Sequence, residues 1–246
     1  MENRNNPEYL LNVLISGEYI KYYDMSVKYS TGEIYAICDN MRNNNTKNDT
    51  DVFDIINKCG NIMRVSLLNS VFMKIYSDKE DGIIYVNNFL KKFAENCNNI
   101  LNDMCFTNIL EEDMIIIKAP DSFITYAMLE FIRNSLVKYG EDTKINISCR
   151  NDDGNVIIFI DTESYGCNPV YSELPLDFVE RHSAEFNSFF SEKSGLKCEY
   201  TEKSMKISVP LYTGKLIWGF SNRKVIPAYD EFSDYSIMLS GIKKQE

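Results

Sequence analysis

The 246-residue chain has a single histidine, His182, and that scarcity excludes more than any other number in its composition. Any Ser/His or Cys/His catalytic arrangement would depend on this residue alone, and histidine-rich metal sites are out of reach. Glycine is also sparse, with eleven residues. None is set in a G-x-x-x-x-G-K, G-x-G-x-x-G or G-x-S-x-G motif, so the backbone cradles that such motifs build for phosphates or an oxyanion are missing. The seven cysteines (Cys38, Cys59, Cys97, Cys105, Cys149, Cys167 and Cys198) are odd in number and include no C-x-x-C pair. A disulfide framework or a zinc site would need closer spacing, so reduced, buried thiols are expected. No dense Lys/Arg patch occurs, and a net charge of −10 argues against binding nucleic acid, where phosphate neutralisation requires clustered cations. Apolar runs stay at a handful of residues, against roughly 20 for a membrane span. The start, MENRNNPEYLL, has no basic n-region followed by an apolar stretch. A soluble, cytoplasmic chain with no membrane contact is the expectation.

What the chain does have is apolar material for a core: 44% hydrophobic and 13% aromatic residues. Its length suits one large domain or two modest ones. Val13, Ile20, Val27, Ile34 and Met41 recur every seven residues, which keeps one seam of a helix turned to a partner helix. The polar run Asn43 to Asp49 reads as a loop. Beyond it Ile55, Ile62, Val65, Leu68, Phe72 and Ile75 give the three-four spacing of a second amphipathic helix. Two such helices predict an antiparallel hairpin over residues 7–77. A hairpin cannot bury both of its apolar sides alone, so a homodimer closing a four-helix bundle is expected.

The charged stretch Ser77 to Gly82 separates this unit from a mixed pattern. Strands are expected at Ile83–Val86 and Met114–Ile117. A helix is expected over Asn87–Asn102, and a strongly apolar one from Asp121 or Ser122 to Tyr139. Lys144–Arg150 and Asn155–Asp161, joined by Asn151-Asp152-Asp153-Gly154, predict a β-hairpin. A short helix near Leu176–Phe190 and strands at Leu196–Thr201 and Met205–Pro210 complete an α+β fold. The helices alternate with a largely antiparallel sheet as an α/β sandwich. The expected organisation is a helical dimerisation unit over 1–80, an α/β domain over 81–212 and a C-terminal extension over 213–246.

One ordered pair of motifs carries chemistry. The helix holds LEFIRNSLVKYG (Leu129–Gly140), and the second hairpin strand runs into IFIDTESYG (Ile158–Gly166). This order resembles the ATP-binding (HATPase) domain of histidine kinases and their GHKL relatives. There a helix carries N-x-x-x-N-A-x-K, whose second Asn holds the magnesium on the phosphates. The hairpin that follows ends in D-x-G-x-G, whose Asp accepts from the adenine amino group. On that resemblance Asn134 takes the second Asn position, Ser135 stands for Ala and Glu130 for the first Asn. Lys138 and Tyr139 sit one place late for the family's Lys-Tyr, Asp161 matches the adenine-reading Asp, and Gly166 follows directly after the motif. The closing strand Lys206-Ile207-Ser208-Val209-Pro210-Leu211 and the hairpin of residues 7–77 resemble the family's last strand and its dimerisation and phosphotransfer helices.

Against that pattern, Glu163 and Tyr165 replace glycines that let the backbone approach adenine. No second glycine-rich box lies between Gly166 and Leu196. Gly17 stands where Ser16-Gly17-Glu18 would need the phosphoacceptor histidine. The resemblance therefore implies a catalytically degenerate histidine-kinase-like protein, with no catalytic residues and a vestigial nucleotide site of Asn134, Asp161, Glu130, Lys138 and Gly166. No cofactor and no resident metal are expected. Its action would be protein–protein, on a response-regulator receiver domain or a kinase of a two-component or phosphorelay-type pathway. Two alternatives stand beside it. One is an active GHKL-class ATP-binding protein using Asn134 with magnesium and Asp161 on adenine; the other is a structural adaptor with fold-level likeness only. Each residue also has a plainer reading. Asn134 could simply hydrogen-bond backbone within a helical layer, Asp161 could be a strand-end turn residue and Glu130 a surface carboxylate. His182 could be a core or edge histidine on the stripe Phe178, Phe186 and Phe189.

Overall fold

The computed structural model describes residues 27–28, 31–41, 51–52, 54–56, 58–60, 62–64, 66–67, 81–101, 105–108, 115–140, 143–163, 191, 195–214 and 233–239. Residues 31–41 and the described residues between 51 and 67 are helical. Along the first stretch Ile34, Ile37 and Met41 are half-buried while the remaining side chains are exposed, so the apolar stripe selects one face. Lys58 donates to Glu33 and joins the two stretches. Leu67, late in the second, belongs to the core of the α/β domain.

That domain begins with β1 (Asp81–Tyr85), α1 (Val86–Leu101), β2 (Cys105–Asn108), β3 (Ile116–Pro120) and α2 (Asp121–Tyr139). It continues with β4 (Lys144–Asp152), β5 (Asn155–Glu163), β6 (Lys197–Tyr200), β7 (Ser204–Pro210) and a short α3 (Asp234–Leu239). The main sheet has the order β2-β4-β5-β7-β6, with β2 parallel to β4 and the other pairs antiparallel. Strands β1 and β3 form a separate antiparallel pair. It is tied to the sheet by the Ile117–Leu211 bridge and by Tyr212 N–H donating to Ile116 O at 2.9 Å. The expected α+β layering is what the described residues show.

Local chemistry explains the element ends. Asp153 and Gly154 both take positive φ (47° and 81°), the conformation a two-residue hairpin turn between twisted strands requires. Helix α2 stops at Gly140, whose φ of 91° and ψ of −179° lie in a region open essentially to glycine, and Gly140 N–H donates back to Leu136 O at 2.8 Å.

The core forms between one face of the sheet and the two long helices. Ile145 and Ile147 of β4, Val156, Ile158 and Ile160 of β5, and Met205, Ile207 and Val209 of β7 are fully buried against Leu90, Phe93, Cys97, Met128, Leu129 and Ile132. Period-two alternation thus sets an inner face toward the helices and an outer face away from them. Helix α2 is buried almost all round from Ser122 to Ile132, as expected of a helix covered on more than one side.

Several expectations shift. Strand β2, four residues in parallel pairing, was not foreseen, and β3 starts two residues after Met114. Cys97 is buried, whereas Cys38 and Cys59 are exposed, so the thiols are not uniformly core residues. Within the C-terminal extension, Asp234–Leu239 form a helix that packs on α1 and α2. The helix expected near Leu176–Phe190, His182, Gly166 and most of the hairpin over 7–77 lie outside the described residues.

Candidate functional site

The candidate site lies where the C-terminal half of α2 passes the β6 edge and the ends of β5 and β7. Glu130, Asn134 and Lys138 follow one another at four-residue intervals and share a face of α2. Their surroundings differ sharply along that face. Glu130 is 3% exposed, so it is not the surface carboxylate that its helix position alone allows. Asn134, one turn later, is exposed. Lys138, another turn on, pairs with Glu202 in the β6–β7 turn at 2.6 Å, and this hydrogen bond holds its ammonium above the usual lysine range.

The β6–β7 turn closes against the end of α2. Tyr139 Oη donates to Glu202 O at 3.2 Å. The ammoniums of Lys138 and Lys203 lie 5.4 and 5.5 Å from the centre of its ring, within cation–π range. Thr162 of β5 joins the same turn twice: its N–H and its hydroxyl both donate to Lys203 O, at 2.9 and 3.1 Å. Tyr200 of β6 lies opposite Met205 and therefore on the inner face. Burial pushes its hydroxyl pKa up, and the neighbouring Cys198 and Glu130 push it further.

The register decides where Asp161 stands. Ile158, Ile160 and Thr162 alternate on the inner face, with Thr162 5% exposed. Asp161 falls between them on the outer face, in one row with Asn146 of β4 and Ser204 of β7. Glu163 is on that face too and accepts from Asn146 Nδ2 at 3.1 Å. Asp161 and Asn134 are consequently not turned toward one cleft: the carboxylate points away from the layer that contains α2, and a threonine hydroxyl takes its place on the inner side. Among the described residues no group of three or more His, Cys, Asp or Glu side chains could hold a metal ion, and no helix is long and apolar enough to cross a membrane.

Desolvation, with the Glu163 charge second, raises the Asp161 carboxyl above the ordinary 3.8. The folded state therefore binds a proton more readily than the unfolded chain. Acidification from neutrality through the raised value toward 3.8 relieves a penalty on the charged form. The wild type should gain stability relative to Asp161→Asn across that window, read as urea midpoints for both proteins at each pH. A difference independent of pH would contradict this placement of Asp161.

Sequence reasoning missed Thr162, Tyr200 and Glu202. The signal for Thr162 was present in the partner strands, where Ile145/Ile147 and Met205/Ile207/Val209 alternate cleanly. In β5 the unbroken run Val156 to Ile160 hides the parity.

No protein-family model matches the chain, and no curated protein matches it. Among solved structures it is similar to histidine kinase ThkA in complex with response regulator protein TrrA, with a TM-score of 0.57 and 16% identity over 84% of this chain and 64% of that one. It is also similar to the Acinetobacter baumannii histidine kinase AdeS, with a TM-score of 0.51 and 10% identity over 76% of this chain and 95% of that one. At such identities the likeness is one of fold. The chain has a histidine-kinase/GHKL-like fold.

Proposed function

We propose that this protein is a catalytically degenerate, histidine-kinase-like signalling protein that acts by protein–protein interaction in a two-component or phosphorelay-type pathway. It dimerises through the helical hairpin of residues 7–77 and engages a response-regulator receiver domain or a kinase in the cytoplasm, without nucleic acid, membrane or cofactor. The observation that carries this reading is Thr162 on the inner face at the end of β5. A nucleotide held by Asn134 through its phosphates and read at its adenine by a strand residue needs both groups facing one cleft. The residue that faces α2 here offers a neutral hydroxyl already engaged with Lys203 O, and the carboxylate points outward. Laid on Thr162-Glu163-Ser164-Tyr165-Gly166, the D-x-G-x-G pattern keeps only its last glycine.

The neighbouring charges support the same reading. Lys138, the cation nearest the position of the family's lysine, is paired with Glu202. Glu130 is a carboxylate where an amide would be neutral toward phosphates. No histidine precedes His182, so the hairpin has no phosphoacceptor. A receiver partner accords with the fold likeness to ThkA, which was solved in complex with a response regulator.

The test uses purified receiver domains from the same organism over the immobilised full chain, with radiolabelled ATP and magnesium present. At least one receiver should be retained, while neither it nor this protein acquires label. Retention of no receiver would overturn the partner assignment. Label on the protein would overturn the degeneracy.

A further inference from the structure

The chain holds two Asp-Gly dipeptides, Asp81-Gly82 and Asp153-Gly154, and no Asn-Gly. A glycine has no β-carbon to shield its amide nitrogen, so that nitrogen can reach the carboxyl carbon of the aspartate before it. The fold gives the two pairs opposite settings. Asp81 and Gly82 open β1 and lie in its ladder, opposite Pro120 and Ala119 of β3. Asp153 and Gly154 form the tip between β4 and β5, beyond the last ladder pair, Asp152–Asn155. Residues 151–155 are all exposed, and a β-carbon added to Gly154 would meet nothing within 4 Å.

The backbone at this tip is unusual as well. Among the described residues Asp153 is the one non-glycine residue with positive φ, at 47°, a region that residues with a β-carbon occupy rarely. The tip also holds a neighbouring strand. Leu211 N–H donates to Gly154 O at 2.9 Å, which extends the β5–β7 ladder one step past Asn155–Pro210. From there Leu211 bridges to Ile117, and Tyr212 N–H donates to Ile116 O at 2.9 Å. The Gly154 carbonyl thus anchors β7 at the point where the main sheet is joined to the β1–β3 pair.

We propose that Asp153 is a site of spontaneous isoaspartate formation in the folded protein, and with it an acceptor for an enzyme that methylates isoaspartyl carboxylates. The Gly154 nitrogen attacks Cγ of Asp153, the N–Cγ bond forms, and the carboxyl hydroxyl leaves with the amide hydrogen as water. The product is a succinimide ring. Water opens it at one of two bonds. Cleavage of N–Cγ restores aspartate; cleavage at the main-chain carbonyl leaves Cγ bonded to Gly154 and frees the α-carboxylate. That carboxylate can take the methyl group of S-adenosylmethionine, with S-adenosylhomocysteine as the leaving group. The isoaspartyl chain has one extra methylene in its backbone, so the two-residue turn lengthens and the Gly154 carbonyl is withdrawn from Leu211. The proposal is independent of whether nucleotide or a receiver domain binds.

The test ages the full chain for weeks in warm, near-neutral buffer. Electron-transfer fragmentation of its peptides separates isoaspartate from aspartate at equal mass. A purified isoaspartyl methyltransferase with labelled S-adenosylmethionine reads the whole protein. Isoaspartate should accumulate at Asp153 several-fold faster than at Asp81, and the two rates should converge in urea, where the fold no longer separates them. Asp153→Glu, which would have to close a six-membered ring, should remove most of the methyl uptake, and Asp81→Glu should leave it. Asp153→Asn, a residue well suited to this turn, should react faster, with ammonia leaving in place of water. In the isoaspartyl form, hydrogen exchange at the Leu211 amide should rise, while Ile147 and Ile158 keep their protection. Isoaspartate at neither site, Asp81 leading in the folded chain, or most methyl uptake surviving Asp153→Glu would overturn the proposal. So would a slower Asp153→Asn, an unchanged Leu211 amide, or lost protection at Ile147 and Ile158.

Discussion

Replacing Phe93 by alanine should cost about 3–5 kcal/mol of domain stability, the range for deleting a large aromatic ring from a packed core. Phe93 is fully buried, and its ring is the surface on which both Phe89 and Tyr235 rest. Removing it opens a void in α1 and breaks two aromatic contacts, each of which adds up to about 1 kcal/mol beyond area burial. Against a typical total of about 5–15 kcal/mol this is a large share. Phe89→Ala, at a half-buried position, should cost distinctly less. Urea unfolding followed by circular dichroism reads both. A loss below about 1 kcal/mol for Phe93→Ala would mean that α1 does not carry the C-terminal segment as described.

The second large effect concerns the register of β5, on which the candidate site depends. Ile158 is fully buried on the inner face, in a row with Ile207 of β7. An aspartate there would place an unpaired carboxylate in an apolar core, at a cost of about 3–5 kcal/mol or more. The domain should lose cooperative unfolding or be recovered as aggregate. Phe159→Asp, one residue on and facing outward beside Lys206 and Ser148, should be folded and soluble with a much smaller loss. The contrast between neighbours is the informative quantity, since a one-residue slip exchanges the two faces. If Phe159→Asp were the more damaging substitution, Asp161 rather than Thr162 would face α2.

Much of this fold was legible because local signals agreed with one another. Helix α2 was bounded at both ends by Asp121 and Gly140. The β4–β5 hairpin announced itself through Asp153-Gly154, and the alternation in β4 and β7 marked their inner faces. Strand β2 was not legible, because Cys105-Phe106-Thr107-Asn108 is short and its parallel partner β4 is distant in sequence. The face of Asp161 was not legible for a related reason. Ile157 and Phe159 are apolar on the outer face, so β5 alone reads as a continuous apolar run without visible parity. The burial of Glu130 comes with a helix covered almost all round, and its own residue type announces nothing of it.

Isothermal titration of the full chain with ATP and magnesium tests the loss of the nucleotide site most directly. No saturable heat, or binding no tighter than millimolar, unchanged by Asn134→Ala and by Asp161→Asn, is the expected result. Micromolar binding that Asn134→Ala or Asp161→Asn abolishes would contradict it and return the protein to the active ATP-binding class.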